Sequence, residues 1–157
     1  MFSSILQYSF LKMAMSQRRC RAACTLGLAL FGTVGFQMSM VAQIASDGTL
    51  STTVISGDNL NFSIDGGNRA GNNLFHSFED FSIPTDGSAA FQHDLDIVNI
   101  INRVTGNTIS TLDGTLQAEG NANVFLLNPN GIMVGPNAEL NIGGSFVATT
   151  ADRLVFE

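Results

Sequence analysis

The chain has 157 residues, of which 45% are hydrophobic, and this length fits a single domain. Its formal net charge of −6 is unevenly distributed, because four of the seven basic residues lie before residue 22 and every acidic residue lies at Asp47 or later. From residue 43 onward three arginines stand against thirteen carboxylates, a net charge of −10. The clustered lysines and arginines that hold phosphate groups are missing there, so nucleic acid is excluded as an expected partner.

The first 42 residues have the layout of a secretory signal peptide. The basic patch Arg18–Arg21 precedes a 15-residue apolar run, Ala22–Phe36, and the small residues of Ser39–Ala42 predict cleavage before Gln43. The apolar run is shorter than the roughly 20 residues that a membrane-spanning helix needs, so we expect no permanent membrane anchor.

Both cysteines of the chain, Cys20 and Cys24, belong to this leader. The mature chain would therefore contain no cysteine, which excludes disulfides and thiolate metal sites from it. Residues 1–12 are interpreted as a superfluous extension, with translation starting at Met13 or Met15.

The first part of the mature chain predicts short strands joined by loops. The segment Gln43–Val54 places an Asp47-Gly48 turn before a β-prone run, and residues 60–64 alternate apolar and polar side chains, the period of a half-buried strand. Asp65–Asn73 is rich in glycine and asparagine and is interpreted as a loop. The aromatic residues that follow fit one helical turn or an irregular strand, and we interpret them as core residues: Phe75, Phe78 and Phe81.

The ionisable residues of the mature chain form no recognisable catalytic motif. His76 and His93 are isolated, and the sequence contains no nucleophile elbow, phosphate-binding loop or H-E-x-x-H motif. The acidic pairs Glu79-Asp80 and Asp94–Asp96 would suit either calcium or a solvated loop, and the solvated loop is the favoured interpretation. We therefore predict a protein that is not an enzyme and that holds no metal and no cofactor.

Weak internal repeats favour a solenoid. The tetrapeptide D-G-T-L occurs at Asp47–Leu50 and at Asp113–Leu116, and a fainter echo relates residues 107–116 to residues 137–146 at an offset of thirty. Such self-similarity indicates stacked rungs, although an antiparallel sandwich also fits a set of short strands. In the solenoid the echoed residues would form two interior pairs and one corner pair: Leu112 with Ile142, Leu116 with Phe146, and Gly114 with Gly144.

Two turn motifs punctuate the β-rich stretch from Asn99 to Phe156. The first reads N-R-V-T-G and the second reads N-P-N-G-I. In the second, Pro129 sets φ for the first central position of a β-turn, and Asn128 can fold its side chain back onto the following backbone. Our candidate site consists of the residues of both motifs: Asn102, Arg103, Val104, Thr105, Gly106, Asn128, Pro129, Asn130, Gly131 and Ile132.

Together with the closing sequence G-G-S-F-V-A-T-T-A-D-R-L-V-F, these motifs resemble the amino-terminal secretion domain of two-partner-secretion exoproteins, the filamentous haemagglutinin family. The resemblance covers residues 43–157. It implies an all-β fold, a right-handed parallel β-helix with an N-terminal capping segment, preceded by the signal-peptide helix. It also implies secretion or display at the cell surface by way of the periplasm, and recognition by an outer-membrane β-barrel transporter with POTRA domains.

Under this resemblance the chain is the secretion-targeting domain of an adhesin- or haemagglutinin-like exoprotein. The alternatives are a stand-alone surface adhesion module, a non-functional gene fragment and, less favoured, a polysaccharide-acting β-helix enzyme. The two motifs either contact the transporter or only hold the fold. Arg103 is our choice for a specific polar contact, and its alternative is a surface charge near Asp113 or Glu119.

Members of that family run on well past the point where this sequence stops, at Glu157 directly after R-L-V-F. We therefore interpret residues 43–157 as a truncated secretion domain. A solenoid that ends without a cap exposes unpaired backbone N–H and C=O groups, so we predict self-association through its open end.

Overall fold

The computed structural model describes residues 44–155, which form short β-strands joined by turns and contain no α-helix. None of these residues lies in a helix long and apolar enough to cross a membrane. The predicted signal peptide and its helix, residues 1–42, lie outside the described residues. The strands are β1 (Ile44–Ser46), β2 (Thr52–Ile55), β3 (Asn61–Gly66), β4 (Asn68–Ala70), β5 (Asn73–Phe81), β6 (Ser88–Phe91), β7 (Asn99–Val104), β8 (Ser110–Leu112), β9 (Thr115–Ala118), β10 (Asn123–Leu127), β11 (Ile132–Val134), β12 (Glu139–Ile142) and β13 (Phe146–Thr149).

Three sheets wrap around one interior. Sheet A has the strand order β1-β5-β7-β10-β13, sheet B has the order β2-β3-β6-β9-β12, and sheet C pairs β8 with β11. Each turn of the chain passes through sheet B, then A, then C, as β6, β7 and β8 do and as β9, β10 and β11 do again. Strands of successive turns are parallel, which confirms the predicted parallel β-helix and makes the antiparallel sandwich wrong.

The N-terminal strands run against this parallel order and close one end of the solenoid. β1 pairs antiparallel with the end of β5, β2 pairs antiparallel with β3, and the short β4 pairs antiparallel with the start of β5. Ile44 of β1 is buried and packs in the interior cluster. The opening segment of the described chain therefore caps the first rung, as the resemblance implies.

The rung length varies, and the thirty-residue echo does not describe it. Equivalent positions are 22 residues apart between β8 and β11 and 27 residues apart between β3 and β6, because the loops between strands differ in length. Gly114 and Gly144 do lie at corners, but Gly114 joins sheet C to sheet B whereas Gly144 joins sheet B to sheet A. The predicted ladders are wrong, and the observed pairs are Leu116 with Leu140, Leu112 with Val134, and Val124 with Phe146.

Aromatic rings fill the capped end of the interior. The ring centroids of Phe78 and Phe81 lie 5.0 Å apart in an edge-to-face arrangement, and Phe81 stacks on Phe91 at 6.3 Å. Both Phe78 and Phe81 are fully buried, as predicted. Phe75 differs from this prediction. Alternate residues of a strand face opposite sides, and the two neighbours of Phe75 in β5, Leu74 and His76, face the interior. Phe75 is half-buried on the outer face of sheet A.

A ladder of asparagine side chains aligns the first residues of successive strands in sheet A. The side-chain amide of Asn99 donates to Asn73 Oδ1 at 2.8 Å, and that of Asn123 donates to Asn99 Oδ1 at 3.0 Å. The ladder ends on the backbone, where the N–H of Ser145 donates to Asn123 Oδ1 at 2.9 Å. Each rung thus aligns the next one at the same corner, in addition to the backbone hydrogen bonds of the sheet.

Candidate functional site

The two sequence motifs lie side by side on neighbouring rungs, at the corner where sheet A ends. Arg103 pairs with Leu127 in the parallel register of β7 and β10, so the residues after these strands, Val104–Gly106 and Asn128–Asn130, run next to each other. The side-chain amide of Asn130 donates to the carbonyl oxygen of Gly106 at 2.7 Å and joins the motifs directly. The structure therefore brings together residues that the sequence separates by more than twenty positions.

The second motif forms the turn that its sequence predicts. The N–H of Gly131 donates to the carbonyl oxygen of Asn128 at 3.1 Å and closes the turn, and Gly131 has a positive φ of 123°. The Asn128 side chain folds back as expected, because its Oδ1 accepts the N–H of Asn130 at 2.9 Å. Ile132 follows the turn as the first, half-buried residue of β11. Pro129 and Asn130 are exposed at the tip of this turn.

Asn128 is fully buried and is a structural residue. Its amide nitrogen donates to the carbonyl oxygen of Thr108 at 3.0 Å and to Ser110 Oγ at 2.9 Å. A single side chain thus joins the start of sheet C on one rung to the corner of the next. The Asn128 amide makes four hydrogen bonds, because its Oδ1 also accepts from the side chain of Asn130 at 3.3 Å. Removing it leaves its buried partners, above all the Ser110 hydroxyl, unsatisfied, which is costly.

The first motif alternates between interior and surface. Asn102 and Val104 are buried, and the Asn102 amide donates to the carbonyl oxygen of Phe125 at 2.9 Å. The N–H of Gly106 donates to the carbonyl oxygen of Glu79 at 3.1 Å, and a Cβ at Gly106 would overlap that oxygen, so glycine is required by close approach. Arg103 points outward and is exposed.

Thr105 connects the first motif to the cap through Asp47, a residue that the sequence did not single out for this role. Asp47 Oδ2 accepts hydrogen bonds from Thr105 Oγ1 at 2.8 Å and from Ser77 Oγ at 2.6 Å, and its Oδ1 accepts from Thr49. Burial raises the pKa of Asp47, but the hydrogen bonds from Ser77, Thr49 and Thr105 outweigh it and lower the pKa to about 2. One carboxylate therefore ties the cap to the first two rungs.

An apolar groove, here called the sheet A groove, adjoins this corner on the outer face of sheet A. It encloses about 290 Å³ between the cap loop Thr49–Leu50 and the segment Asp152–Leu154, and Phe75, Ile101 and Leu127 form its floor. Ile101 and Leu127 are 6% and 2% exposed although they lie outside the interior cluster, so they are buried on the outside of the sheet.

A second, more polar pocket of about 330 Å³ lies at the motif corner itself. It is lined by the exposed turn residues of both motifs, and it shares Arg103 and Asp152 with the sheet A groove. The two depressions therefore meet at Arg103. Asp113, one of the predicted neighbours of Arg103, instead accepts hydrogen bonds from Thr85 and Asn137.

The arginines of the described residues differ in whether they form ion pairs. Among residues 44–155, the ion pairs within 4 Å all involve Arg69, which binds Asp94 at 3.2 Å and also Asp96. One of the two acidic pairs considered for calcium, Asp94–Asp96, is thus engaged by an arginine. Arg103 and Arg153, by contrast, both line the sheet A groove without an ion pair within the described part of the chain.

The histidines do not form a site together. His76 is buried between sheets A and B, with its Nδ1 3.3 Å from Thr52 Oγ1, and burial lowers its pKa to about 4. His93 Nδ1 lies near the carbonyl oxygen of Asp94. Within the described residues, no three histidine, cysteine, aspartate or glutamate side chains gather where they could hold a metal ion.

Comparisons with known proteins bear on both the motifs and the fold. Residues 42–157 match the family model of the TPS secretion domain. The chain is 38% identical over 85 residues to the heme/hemopexin-binding protein of Haemophilus influenzae strain Rd, which covers 50% of this chain and 8% of that protein. A second heme/hemopexin-binding protein of Haemophilus influenzae is 35% identical over 75 residues, covering 48% and 8%. This chain therefore aligns with only 8% of the length of each of these relatives.

The fold is similar to the crystal structure of the filamentous hemagglutinin secretion domain. The TM-score is 0.52 at 22% sequence identity, and the alignment covers 69% of this chain and 40% of that one. This similarity concerns the fold, and it agrees with the capped parallel β-helix described above.

Proposed function

This chain belongs to the TPS secretion domain family, and we propose that it targets an adhesin- or haemagglutinin-like exoprotein to a dedicated outer-membrane β-barrel transporter. The domain is that of a secreted exoprotein, and targeting is the role that we propose for it. In this proposal the leader, residues 1–42, carries the chain to the periplasm and is removed there. The POTRA domains of the transporter then accept the chain, which folds as a solenoid outside the cell and is not an enzyme.

One observation carries the proposal. The two motifs stack at one corner, and most of their polar groups are used within the fold, whereas Arg103 is exposed where the corner pocket and the sheet A groove meet. Asn128, Asn130 and Thr105 therefore hold the corner in shape, and Arg103 is the group left to contact a partner. This division reconciles a structural role with a recognition role for the same motifs.

The way in which an unfolded chain could bind the transporter and then fold also fits a secretion domain. POTRA domains can accept an extended segment as an additional strand, because backbone hydrogen bonds supply affinity without requiring a folded partner. Repeat folds nucleate locally and extend by adding neighbours. The capped first rungs described here would then provide the template on which later residues pair.

Export of residues 1–157 with and without a co-expressed two-partner transporter tests the proposal. We expect the chain in the medium only when the transporter is present. Asn128→Ala/Asn130→Ala should abolish export by opening the corner, and Arg103→Gln should reduce export about tenfold while leaving the fold intact, as for loss of one interfacial charge contact. Asn141→Ala, an exposed residue on the outer face of β12, is the matched control and should be exported normally.

The periplasmic pool separates folding from recognition. Survival of the pool shows that a variant chain is made and is not degraded, the protease resistance of the purified, refolded chain reports the fold, and the amount in the medium reports transport. Equal export without the transporter, or retention of the parent chain in the periplasm despite the transporter, would overturn the proposed function.

A further inference from the structure

His76 is a titratable side chain enclosed within the solenoid, and its position links the cap to the first rung. It lies on β5 and is only 1% exposed. Its Nδ1 lies 3.3 Å from Oγ1 of Thr52 on the cap strand β2, and the same oxygen accepts the N–H of Ser77 at 3.3 Å. The imidazole is therefore part of the contact that joins β2 to sheet A.

Apolar and closely packed groups surround the rest of this ring. The centroid of the His76 ring lies 6.0 Å from that of Phe78, on which it stacks, and 5.5 Å from that of Phe91. The backbone at Gly67 is so close that a Cβ there would come within 2.8 Å of His76 Cε1. An environment of this kind stabilises the neutral imidazole relative to the cation, because it replaces the water that would solvate the charge.

The second ring nitrogen of His76 has no partner. Its Nε2 is buried and forms no hydrogen bond with any described residue. The single contact with Thr52 suits either neutral tautomer, because a hydroxyl group both donates and accepts, whereas the cation carries an N–H on both ring nitrogens. Protonation would therefore place a charge in the interior and leave the Nε2–H donor without an acceptor among the described residues.

Within the described residues, two other titratable side chains act on the ring. Asp65, near the end of β3, favours the cation, and His93, in the loop after β6, opposes it. On the neighbouring strands β2 and β7, the hydrogen-bonded Thr52 and the register partner Asn102 do not titrate. Burial outweighs the effect of Asp65 and lowers the pKa of His76 from 6.5 to about 4 in the folded chain.

We propose that His76 makes the contact between the cap and the first rung sensitive to acid, so that the fold is held at neutral pH and loses stability as the surroundings become acidic. In the unfolded chain His76 is solvated and binds a proton at its ordinary pKa of 6.5, and the proton has to leave before the ring is enclosed. The stability is therefore complete above about pH 6.5 and is lost progressively towards about pH 4. This inference goes beyond the proposed function, because it concerns folding and requires no transporter.

Urea denaturation of the purified, refolded chain at pH 7 and at pH 5 measures this effect. Between these two pH values, the ratio of folded to unfolded molecules should fall about 20-fold more in the parent chain than in His76→Gln, which has no imidazole to protonate. His93→Gln is the matched control, because it retains His76 and should retain the fall. Each variant is compared with itself at the two pH values, so a constant loss of stability caused by the substitution cancels.

Nuclear magnetic resonance of the folded parent chain provides a second test, which decides the question even if His76→Gln does not fold. The Cε1–H signal of His76, assigned by its presence in His93→Gln, should keep its position in the folded chain from pH 7 to pH 5. A signal that moves with a midpoint above pH 6 would overturn the inference, as would an equal fall in stability in the parent and in His76→Gln. Neither result affects the export experiment, so the two proposals fail independently.

Discussion

Asp47 offers the sharpest test of how the cap is held. Its carboxylate accepts four hydrogen bonds, from the N–H and hydroxyl of Thr49 and from the hydroxyls of Ser77 and Thr105. Asp47→Ala leaves the hydroxyl of the buried Ser77 without its partner and disconnects the cap from the second rung. Hydrogen bonds to a charged group contribute about 1.5–3 kcal/mol, so we expect the free energy of unfolding to fall by about 2–3 kcal/mol.

Urea denaturation at pH 7, followed by far-ultraviolet circular dichroism, measures this loss. Asp58 is the matched control, because hydrogen bonds from the backbone N–H groups of Asn61 and Leu60 also lower its pKa to about 2, yet all its contacts lie within five residues along the chain. Asp58→Ala should therefore cost clearly less than Asp47→Ala. Equal losses would refute the reasoning that Asp47 acts through its contacts between rungs.

The same carboxylate predicts a dependence on pH. Although burial opposes it, the hydrogen bonds lower the pKa of Asp47 from an ordinary value of 3.8 to about 2 in the folded chain. A lowered pKa stabilises the fold above the unfolded value and loses that contribution as the pH falls through the folded value. We expect the difference in stability between the parent and Asp47→Ala to be constant above about pH 5 and to shrink between about pH 4 and pH 2.

Three further predictions follow from other parts of the structure. Asn128→Ala should lower the free energy of unfolding by about 2–4 kcal/mol in the same urea assay, because four hydrogen bonds of a buried amide are lost. Gly106→Ala should lower the midpoint of thermal unfolding because its Cβ overlaps the carbonyl oxygen of Glu79, whereas Gly57→Ala, which has open space around it, should not. Self-association through the exposed end, where Leu140 is 50% exposed, should appear as a concentration-dependent sedimentation coefficient, and Leu140→Glu should abolish it. An unchanged coefficient over a hundredfold dilution would contradict that prediction.

Features that depend on neighbouring residues could be predicted from the sequence. The turn at Asn128–Gly131 forms as its residues indicate, since its defining contacts lie within three positions. The aromatic core around Phe78 and Phe81 was also predictable from composition and strand propensity. The parallel β-helix itself depended on the family resemblance, because short strands and turns alone fit a sandwich equally well.

Features that depend on rung length could not be predicted in the same way. Loops of different length change the offset between rungs, so a weak echo at thirty residues does not identify the true neighbours. The hydrogen bond between Asp47 and Thr105 joins residues 58 positions apart and has no local sequence signal. The apolar floor of the sheet A groove was equally hidden, because Ile100 and Ile101 read as one apolar run although the first faces the interior and the second the groove. A search for asparagines at rung spacing, as at Asn73, Asn99 and Asn123, would have revealed the register.

The antiparallel cap gives the solenoid a direction of growth. At the capped end, β1 and β2 occupy the edges on which a preceding parallel rung would have to pair, so no parallel rung can be added there. At the other end, β12 and β13 continue the parallel register of the rungs before them and present the same geometry to whatever comes next. Further parallel rungs can therefore be added only at the end formed by β12 and β13, and we expect the solenoid to grow from the capped end onward. If the chain emerges gradually from a narrow channel, rung formation at this end would favour outward movement. Each completed rung would oppose the return of its residues into the channel, and no external source of energy would be needed.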